Sequence, residues 1–384
     1  IAGITALGIA LVLFLFFLDV RRSLVVLAPV VFALVSTLGT LNLLGRPIDI
    51  PGIMLWIVIM GMGIDYGIYY VCGYQRCLDE RDPSMSLIRL AVLLAAATTL
   101  IGFGVLAIAR HAVLKSIGMT SFFGIAYSLL GAFVLVPPLI RRVLAPVELP
   151  RESFPAGSPR HQERARLRYR HLAAYPRLFA RFKMRLDPMF PRLADFVGKP
   201  RRILDVGCGI AVPSVWLAEL YPDARVFGID PDGERIRIAR QAMGDRGEMR
   251  PGRAPELEAL PDGADTALVL DVAHMLDDAA FRRSLALLHA KLLPGGRLVM
   301  RVTVPMDRPF PWKRRLEELR LKLHRTAPRY RSREEIAGMI AAAGFEIGTV
   351  QTDGAGSEEV WFVGIKASPD PAEAAPRGPA EART

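Results

Sequence analysis

The chain has 384 residues, is 52% hydrophobic, has a mean hydropathy of +0.29 and carries a formal net charge of +11. That apolar excess excludes an ordinary soluble enzyme of this length, and because residues 1–140 hold nearly all of it, two units are expected. The basic balance invites a nucleic-acid partner, but residues 141–185 alone contain 12 Arg and Lys against three acids, directly after an apolar run, so no nucleic-acid partner is expected; two readings of the cluster stay open, attraction to anionic lipid head groups and a solvated linker.

Five apolar runs follow one another with short polar breaks, at 1–18, 24–44, 52–73, 87–108 and 116–140, each near the ~20 residues that a hydrocarbon core requires. The first run starts at Ile1, lacks the basic flank of a signal peptide and reads as the cut end of a longer protein. Arg21, Arg22, Arg76, Arg81, Arg89, Arg141 and Arg142 fall on one side of the spans, and Arg46, Arg110 and Lys115 on the other. The richer side should be cytoplasmic, so a multi-pass protein of the bacterial inner membrane is expected, with Ile1 outside and the C-terminal domain in the cytoplasm. Cys72, Cys77 and Cys208 show no ligand spacing, so neither a disulfide nor a metal site is expected.

The third run contains Gly61-Met62-Gly63-Ile64-Asp65-Tyr66-Gly67. A carboxylate inside a span is costly and by default functional, while the glycines let a neighbouring helix approach closely. With Thr98-Thr99, Gly102-Phe103, Leu114 to Gly118 and Pro137-Pro138 in order, residues 1–142 resemble the resistance-nodulation-division superfamily, in particular its MMPL-type lipid exporters. The resemblance implies that Asp65 and Tyr66 form a proton-coupling site; the alternative is a structural pairing of Asp65 with Thr98 or Thr99. It also implies a partner, the remainder of the exporter chain upstream of Ile1, since half an exporter of this family has six spans and a large extracytoplasmic domain.

A basic linker is expected at 143–164, helices with breaks at Pro176, Pro188 and Pro191 at 162–198, and a methyltransferase-type domain over 165–366 followed by a disordered Pro/Ala/Glu-rich tail, 367–384. Strands at 202–206, 225–229, 266–270 and 297–304 alternate with helices at 213–220, 233–243 and 278–292, and a helix at 332–343 precedes a closing antiparallel pair at 345–349 and 359–365. The expected fold is therefore a multi-span helical membrane part followed by an α/β doubly wound, Rossmann-like sheet, with ligands beyond the carboxyl ends of the strands.

The first strand runs into Leu204-Asp205-Val206-Gly207-Cys208-Gly209-Ile210-Ala211, and the second ends in Gly228-Ile229-Asp230. Glycines let the backbone lie against a ligand, and an acid about 20 residues further on can accept from ribose hydroxyls. The loop reads D-x-G-x-G rather than the dinucleotide G-x-G-x-x-G, and Leu293-Pro294-Gly295-Gly296 precedes the last parallel strand. Together these resemble the class I methyltransferases. The resemblance implies S-adenosylmethionine as cofactor, contacted by Asp205, Gly207, Cys208, Gly209 and Asp230, with Asp271 as a wall of the site. Two positions depart from the pattern: Ala211 replaces the third glycine, and Gly252-Arg253-Ala254 stands where an acid often reads the adenine amine.

Methyl transfer needs chiefly positioning, and a base only where the acceptor is an alcohol or phenol. His274, after the strand at 266–270, is the candidate catalytic base, against the reading that it only packs. Residues 306–330 insert an amphipathic stretch around Trp312–His324, expected as a lid over an apolar acceptor or as an interfacial helix. The function expected is methyl transfer to an apolar or aromatic acceptor by a cytoplasmic domain fused to a partial proton-driven exporter in the lipid bilayer. The alternative is a transport component whose domain only binds the cofactor or a partner.

Overall fold

The computed structural model describes residues 2–46, 49–77, 83–146, 149–305, 328–354 and 357–368. The chain divides into two compact units, Ile1–Val147 with Arg170–Leu178, and Glu148–Tyr169 with Phe179–Thr384.

The first unit is built on α1 (Ala2–Phe17), α2 (Val20–Leu43), α3 (Ile50–Cys77), α4 (Pro83–Ala107), α5 (Ala112–Val134) and α6 (Val136–Leu144). Helices α2 to α5 are long and apolar enough to cross a membrane. The first of the five expected runs forms α1, an apolar helix of 16 residues within this chain. Small residues set the packing on α3. A Cβ at Gly63 would lie 3.0 Å from Ser128 Oγ and from Val30, and one at Gly67 would lie 3.0 Å from the Val26 carbonyl, so α2 and α5 approach α3 closely. Gly61 faces open space and plays no such part.

Where α2 begins, Asp19 caps the helix by accepting from the Arg21 amide at 2.9 Å. Arg22, 1% exposed, pairs with Asp19 at 3.3 Å and donates to the carbonyls of Leu172 (2.6 Å) and Arg170. Arg177 pairs with Asp19 at 3.0 Å and donates to the Phe17 carbonyl at 2.6 Å. Arg177, counted in the basic cluster, and Arg22, counted toward membrane orientation, are therefore both spent on satisfying the start of α2 within this unit.

The segment before the sheet contributes α7 (Pro159–Leu167), α8 (Ala174–Leu186) and α9 (Met189–Val197). Pro176 and Pro191, expected as breaks, instead sit in the first turns of α8 and α9, where no intrahelical amide donor is lost. Residues 149–169, expected mostly as linker, belong to the second unit. Arg164 and Arg168 pair at 3.0 and 2.7 Å with Glu219, which is 1% exposed, so these charges are internal to the fold.

Strands β1 (Arg202–Val206), β2 (Arg225–Asp230), β3 (Gly247–Pro251), β4 (Ala264–Leu270), β5 (Leu292–Thr303), β6 (Phe345–Thr352) and β7 (Glu359–Lys366) form one sheet in the order β3-β2-β1-β4-β5-β7-β6. The first five run parallel, and β7 enters antiparallel between β5 and β6. Helices α10 (Val212–Leu220), α11 (Gly233–Met243), α12 (Asp278–Lys291) and α13 (Arg333–Ala342) make the crossovers, the last opened by a Ser332–Glu335 capping box. Leu204, Val206, Ala267, Leu298 and Met300 are at most 2% exposed, as central strands covered on both faces must be. β3 was not anticipated from the sequence: only Met249 is buried along it, and Glu248 and Arg250 read as surface. Edge pairing to β2 makes it a strand. Chain order reverses between β1 and β4, which places the crevice at their carboxyl ends. The insertion at 306–327 and the tail beyond 368 lie outside the described residues.

Candidate functional site

The loop leaving β1 is shaped by its own backbone bonds. The Gly207 and Cys208 amides both donate to the Ile229 carbonyl, at 2.8 and 3.0 Å, and so hold the loop against the end of β2. The Gly209 amide donates to Asp230 Oδ2 at 3.0 Å, and the Asp232 amide to Asp230 Oδ1 at 3.0 Å. Gly207 has φ +74°, and a Cβ there would meet Val272 at 2.4 Å. Only glycine lets the loop after β1 touch the loop after β4. Gly209 has φ +56° and nothing within 4 Å of where its Cβ would stand, so its backbone faces open space. Ala211 holds the left-handed conformation, φ 61°, that the third glycine would adopt without strain. Tyr169, fully buried, donates to the Ile210 carbonyl at 2.8 Å and braces the loop from the segment before the sheet.

The acids and the thiol of the loop take different positions. Asp205 is 2% exposed beneath it and accepts from Ser214 Oγ on α10 at 2.5 Å. Burial raises its pKa to about 6, with the Ser214 bond opposing and the Asp230 charge adding. Cys208 is 6% exposed and packs against the site where Gly228 leaves room. Burial pushes its thiol pKa up, so it behaves as a packing group. Asp230 is 4% exposed at the carboxyl end of β2. The position expected to lack an adenine acid follows β3, where the Gly252 amide donates to the Asp230 carbonyl at 3.2 Å.

At the end of β4, Asp271 adopts φ 58° and its Oδ2 accepts from Arg301 on β5 at 3.2 Å. Its Oδ1 is buried and has no hydrogen-bond partner among the described residues. Arg301, 5% exposed, also pairs with Asp187 at 3.1 Å and Asp353 at 2.9 Å. Burial works against its charge, but Asp271, Asp187, Glu359 and Asp353 outweigh that and hold its pKa above the ordinary value. Lys183 lies 3.8 Å from Asp187 and 3.9 Å from Asp271. This network was missed in the sequence, although one signal was present: Arg301 interrupts the apolar run from Leu298 to Val302. Beside it a cavity of about 300 Å³ is lined by Met184, Leu186, Asp187, Pro188, Phe190 and Pro191 among others.

His274 follows β4 as expected but is packed in, 2% exposed, with its ring stacked on Tyr330 at 6.1 Å. Its carbonyl accepts from the Arg329 amide at 2.8 Å, and Arg331 donates to the carbonyls of Ala273 and Leu276. In the first unit, Tyr66 is 4% exposed and its hydroxyl has no partner among the described residues, whereas Asp65 on the same helix is exposed. Thr98 and Thr99 both donate to the Ala95 carbonyl, so neither pairs with Asp65.

The crevice fits the cofactor implied by the loop: open space over Gly209, a carboxylate at the end of β2 and a buried acceptor without a partner, Asp271 Oδ1. With five parallel strands closed by an antiparallel β7, these features define a class I methyltransferase domain. Residues 171–350 match the model of a methyltransferase domain, and residues 1–183 match that of the MMPL family. A protein of Methanocaldococcus jannaschii described as a membrane protein is 30% identical over 144 residues, 35% of this chain and 36% of that protein. Trans-aconitate 2-methyltransferase of an Azoarcus species is 33% identical over 125 residues, 30% of this chain and 47% of that enzyme. The chain thus spans less than half the length of either curated relative. A solved S-adenosylmethionine-dependent methyltransferase of Mesorhizobium loti is similar at 20% identity and a TM-score of 0.40, covering 47% of this chain and 99% of that one. The chain joins an MMPL-type membrane segment to a methyltransferase domain that takes S-adenosylmethionine.

Proposed function

We propose that the domain transfers a methyl group to an apolar or aromatic acceptor, and that the membrane segment is part of a proton-driven, lipid-type exporter. The observation that carries the first part is the convergence of Gly209, Asp230 and Asp271 Oδ1 on the crevice between β1 and β4. S-adenosylmethionine supplies an activated methyl on a sulfonium. Asp230 accepts hydrogen bonds from ribose hydroxyls, and its two backbone donors keep the carboxylate in place. Asp271 Oδ1 accepts from the cofactor's ammonium group. Gly207, Cys208 and Gly209 contribute the backbone that lies along it, while Asp205 holds α10 to the loop through Ser214 and acts by positioning. Where the acceptor is a hydroxyl, His274 is the proposed base, a role that requires its ring, 2% exposed and stacked on Tyr330, to be uncovered toward the acceptor. The 300 Å³ cavity mixes Met184, Leu186 and Phe190 with Gln162, Arg185 and Asp187, so it offers an acceptor both apolar and polar contacts.

Asp230→Asn keeps the size but removes the charge, and is expected to weaken S-adenosylhomocysteine binding by about 1.5–3 kcal/mol, the range for hydrogen bonds to charged groups. Calorimetry giving unchanged affinity removes Asp230 from the site. The lack of an acid at Gly252-Arg253-Ala254 favours a second reading, a domain that binds cofactor without transferring from it. Transfer of radiolabelled methyl into lipid extract distinguishes the two.

Asp65 and Tyr66 are proposed as the proton relay. A carboxylate exposed on a membrane span is costly in hydrocarbon, which supports a reading in which further exporter helices, upstream of Ile1, cover it. The proposed site of action is the bacterial inner membrane, with the methyltransferase domain in the cytoplasm, on the seven-to-three bias of basic residues flanking the spans. A protease added outside sealed spheroplasts is expected to spare the domain, and rapid cleavage within it reverses the orientation.

A further inference from the structure

Two charged side chains line the cavity of about 300 Å³ beside the Arg301 network, Arg185 and Asp187, and only Asp187 is committed within the fold. Both oxygens of Asp187 are held by Arg301 at 3.1 Å, and Oδ1 also accepts from the Met189 amide at 3.0 Å. The polar lining residue Gln162 donates to the Gly157 carbonyl at 3.0 Å and accepts from Arg166 at 3.4 Å. Arg185 is exposed and has neither an ion pair nor a hydrogen bond among the described residues. Behind Gln162, the Nε of Arg166 is buried and has no partner among the described residues. The apolar part of the lining includes Met184 and Phe190, both buried. All of these residues lie in one compact unit, Glu148–Tyr169 with Phe179–Thr384.

We propose that Arg185 anchors a carboxylate on the acceptor, so that the molecule taken into this cavity is a small amphipathic acid, its apolar body against Met184 and Phe190. The inference rests on the reading of the domain as a methyltransferase whose acceptor enters here. A guanidinium presents parallel N–H donors that match the two oxygens of a carboxylate. A neutral hydrocarbon would leave Arg185 without a contact, and a wholly polar acid would forgo the burial of apolar surface that Met184 and Phe190 offer. One cation in the lining balances one negative charge, which fits a carboxylate and not a phosphate dianion. The volume is at the lower end of the range for small-molecule sites, which suits an aromatic ring or a short chain and not a long lipid. Arg301 bonds both Asp187, in the cavity lining, and Asp271, at the cofactor crevice, so an acid anchored here lies one ion-pair network away from the methyl donor.

The test uses the full chain in nanodiscs of zwitterionic lipid and two probes of matched shape, 3-phenylpropanoate and 3-phenylpropanamide. Each is titrated by ligand-observed nuclear magnetic resonance, with and without saturating S-adenosylhomocysteine. The acid is expected to bind roughly fivefold more tightly than the amide, the size of one partly solvated ion pair. Arg185→Gln is expected to erase that preference and to leave the affinity for S-adenosylhomocysteine unchanged. Its side chain has no partner within the described fold, so folding is not at stake. Arg181→Gln removes an exposed arginine of the same helix outside the cavity lining, and is expected to keep the preference. Equal affinities for the two probes in the wild type, a preference that survives Arg185→Gln, an equal loss in Arg181→Gln, or no binding of either probe each overturn the inference. Failure to bind S-adenosylhomocysteine is a separate result: it removes the cofactor reading, and the preference measured without it still decides for or against Arg185.

Discussion

Arg301→Met is expected to destabilise the methyltransferase unit by about 3–5 kcal/mol, the cost of removing one partner from a buried charge network. Arg301 is 5% exposed and is shared by Asp187, Asp271 and Asp353, which join the turn before α9, the end of β4 and the end of β6. Met fills similar volume, so the loss measured is the uncompensated carboxylates and not a cavity. Lys183, 3.8–3.9 Å from two of the three, relieves only part of the excess negative charge. Asp353 keeps its bond from Trp361 Nε1 at 2.5 Å but loses its counterion. The measurement is the denaturant midpoint of the unit at neutral pH. A midpoint within ~0.5 kcal/mol of wild type at neutral pH would show that the cluster is solvated enough to do without its cation.

Asp205→Asn is expected to do the opposite. Its carboxyl pKa is raised from the ordinary 3.8 to about 6 in the fold, chiefly by burial. A raised pKa means that the folded state holds a proton the unfolded chain has released, so the associated stability is fully present below pH 4 and is lost as pH rises through 6. Above that, the buried charge costs about 3 kcal/mol, from the gap between 3.8 and about 6. The amide keeps an acceptor for Ser214 Oγ and carries no charge. The variant should therefore gain up to about 3 kcal/mol at pH 7 and nothing below pH 4. Parallel wild-type and variant stability curves from pH 4 to 7 would show that Asp205 is ionised at no cost, against the geometry. Retention of a destabilising acid under the cofactor loop fits a site built for binding at the expense of stability.

The membrane segment and the doubly wound sheet were both legible in the chain because each depends on local, repeated signals. Apolar runs of about 20 residues have few outcomes besides a span, and strands buried on both faces read as short apolar runs ended by glycine loops. Asp230 and the glycine loop were legible for the same local reason: a strand end, a positive-φ turn and a helix start are consecutive in sequence.

What the sequence determined by itself is the order of units, the strand–helix alternation and the cofactor class, all written within stretches of about thirty residues. The tertiary structure decided which charges are spent and which remain available. Arg164 and Arg168 look like the rest of a basic linker until Glu219, 51 to 55 positions away, draws them inside. Arg301 looks like a surface residue until β7 pairs with β5 and brings Asp353 beside it, while Asp271 turns back at φ 58° to leave one oxygen bonded and the other unpartnered. Asp205 and Asp230 are the same residue type 25 positions apart, yet one is sealed under the loop by Ser214 and the other is held at the crevice by two amides. Such differences arise from long-range desolvation and pairing, which depend on what lies across the sheet and so have no local pattern to be read.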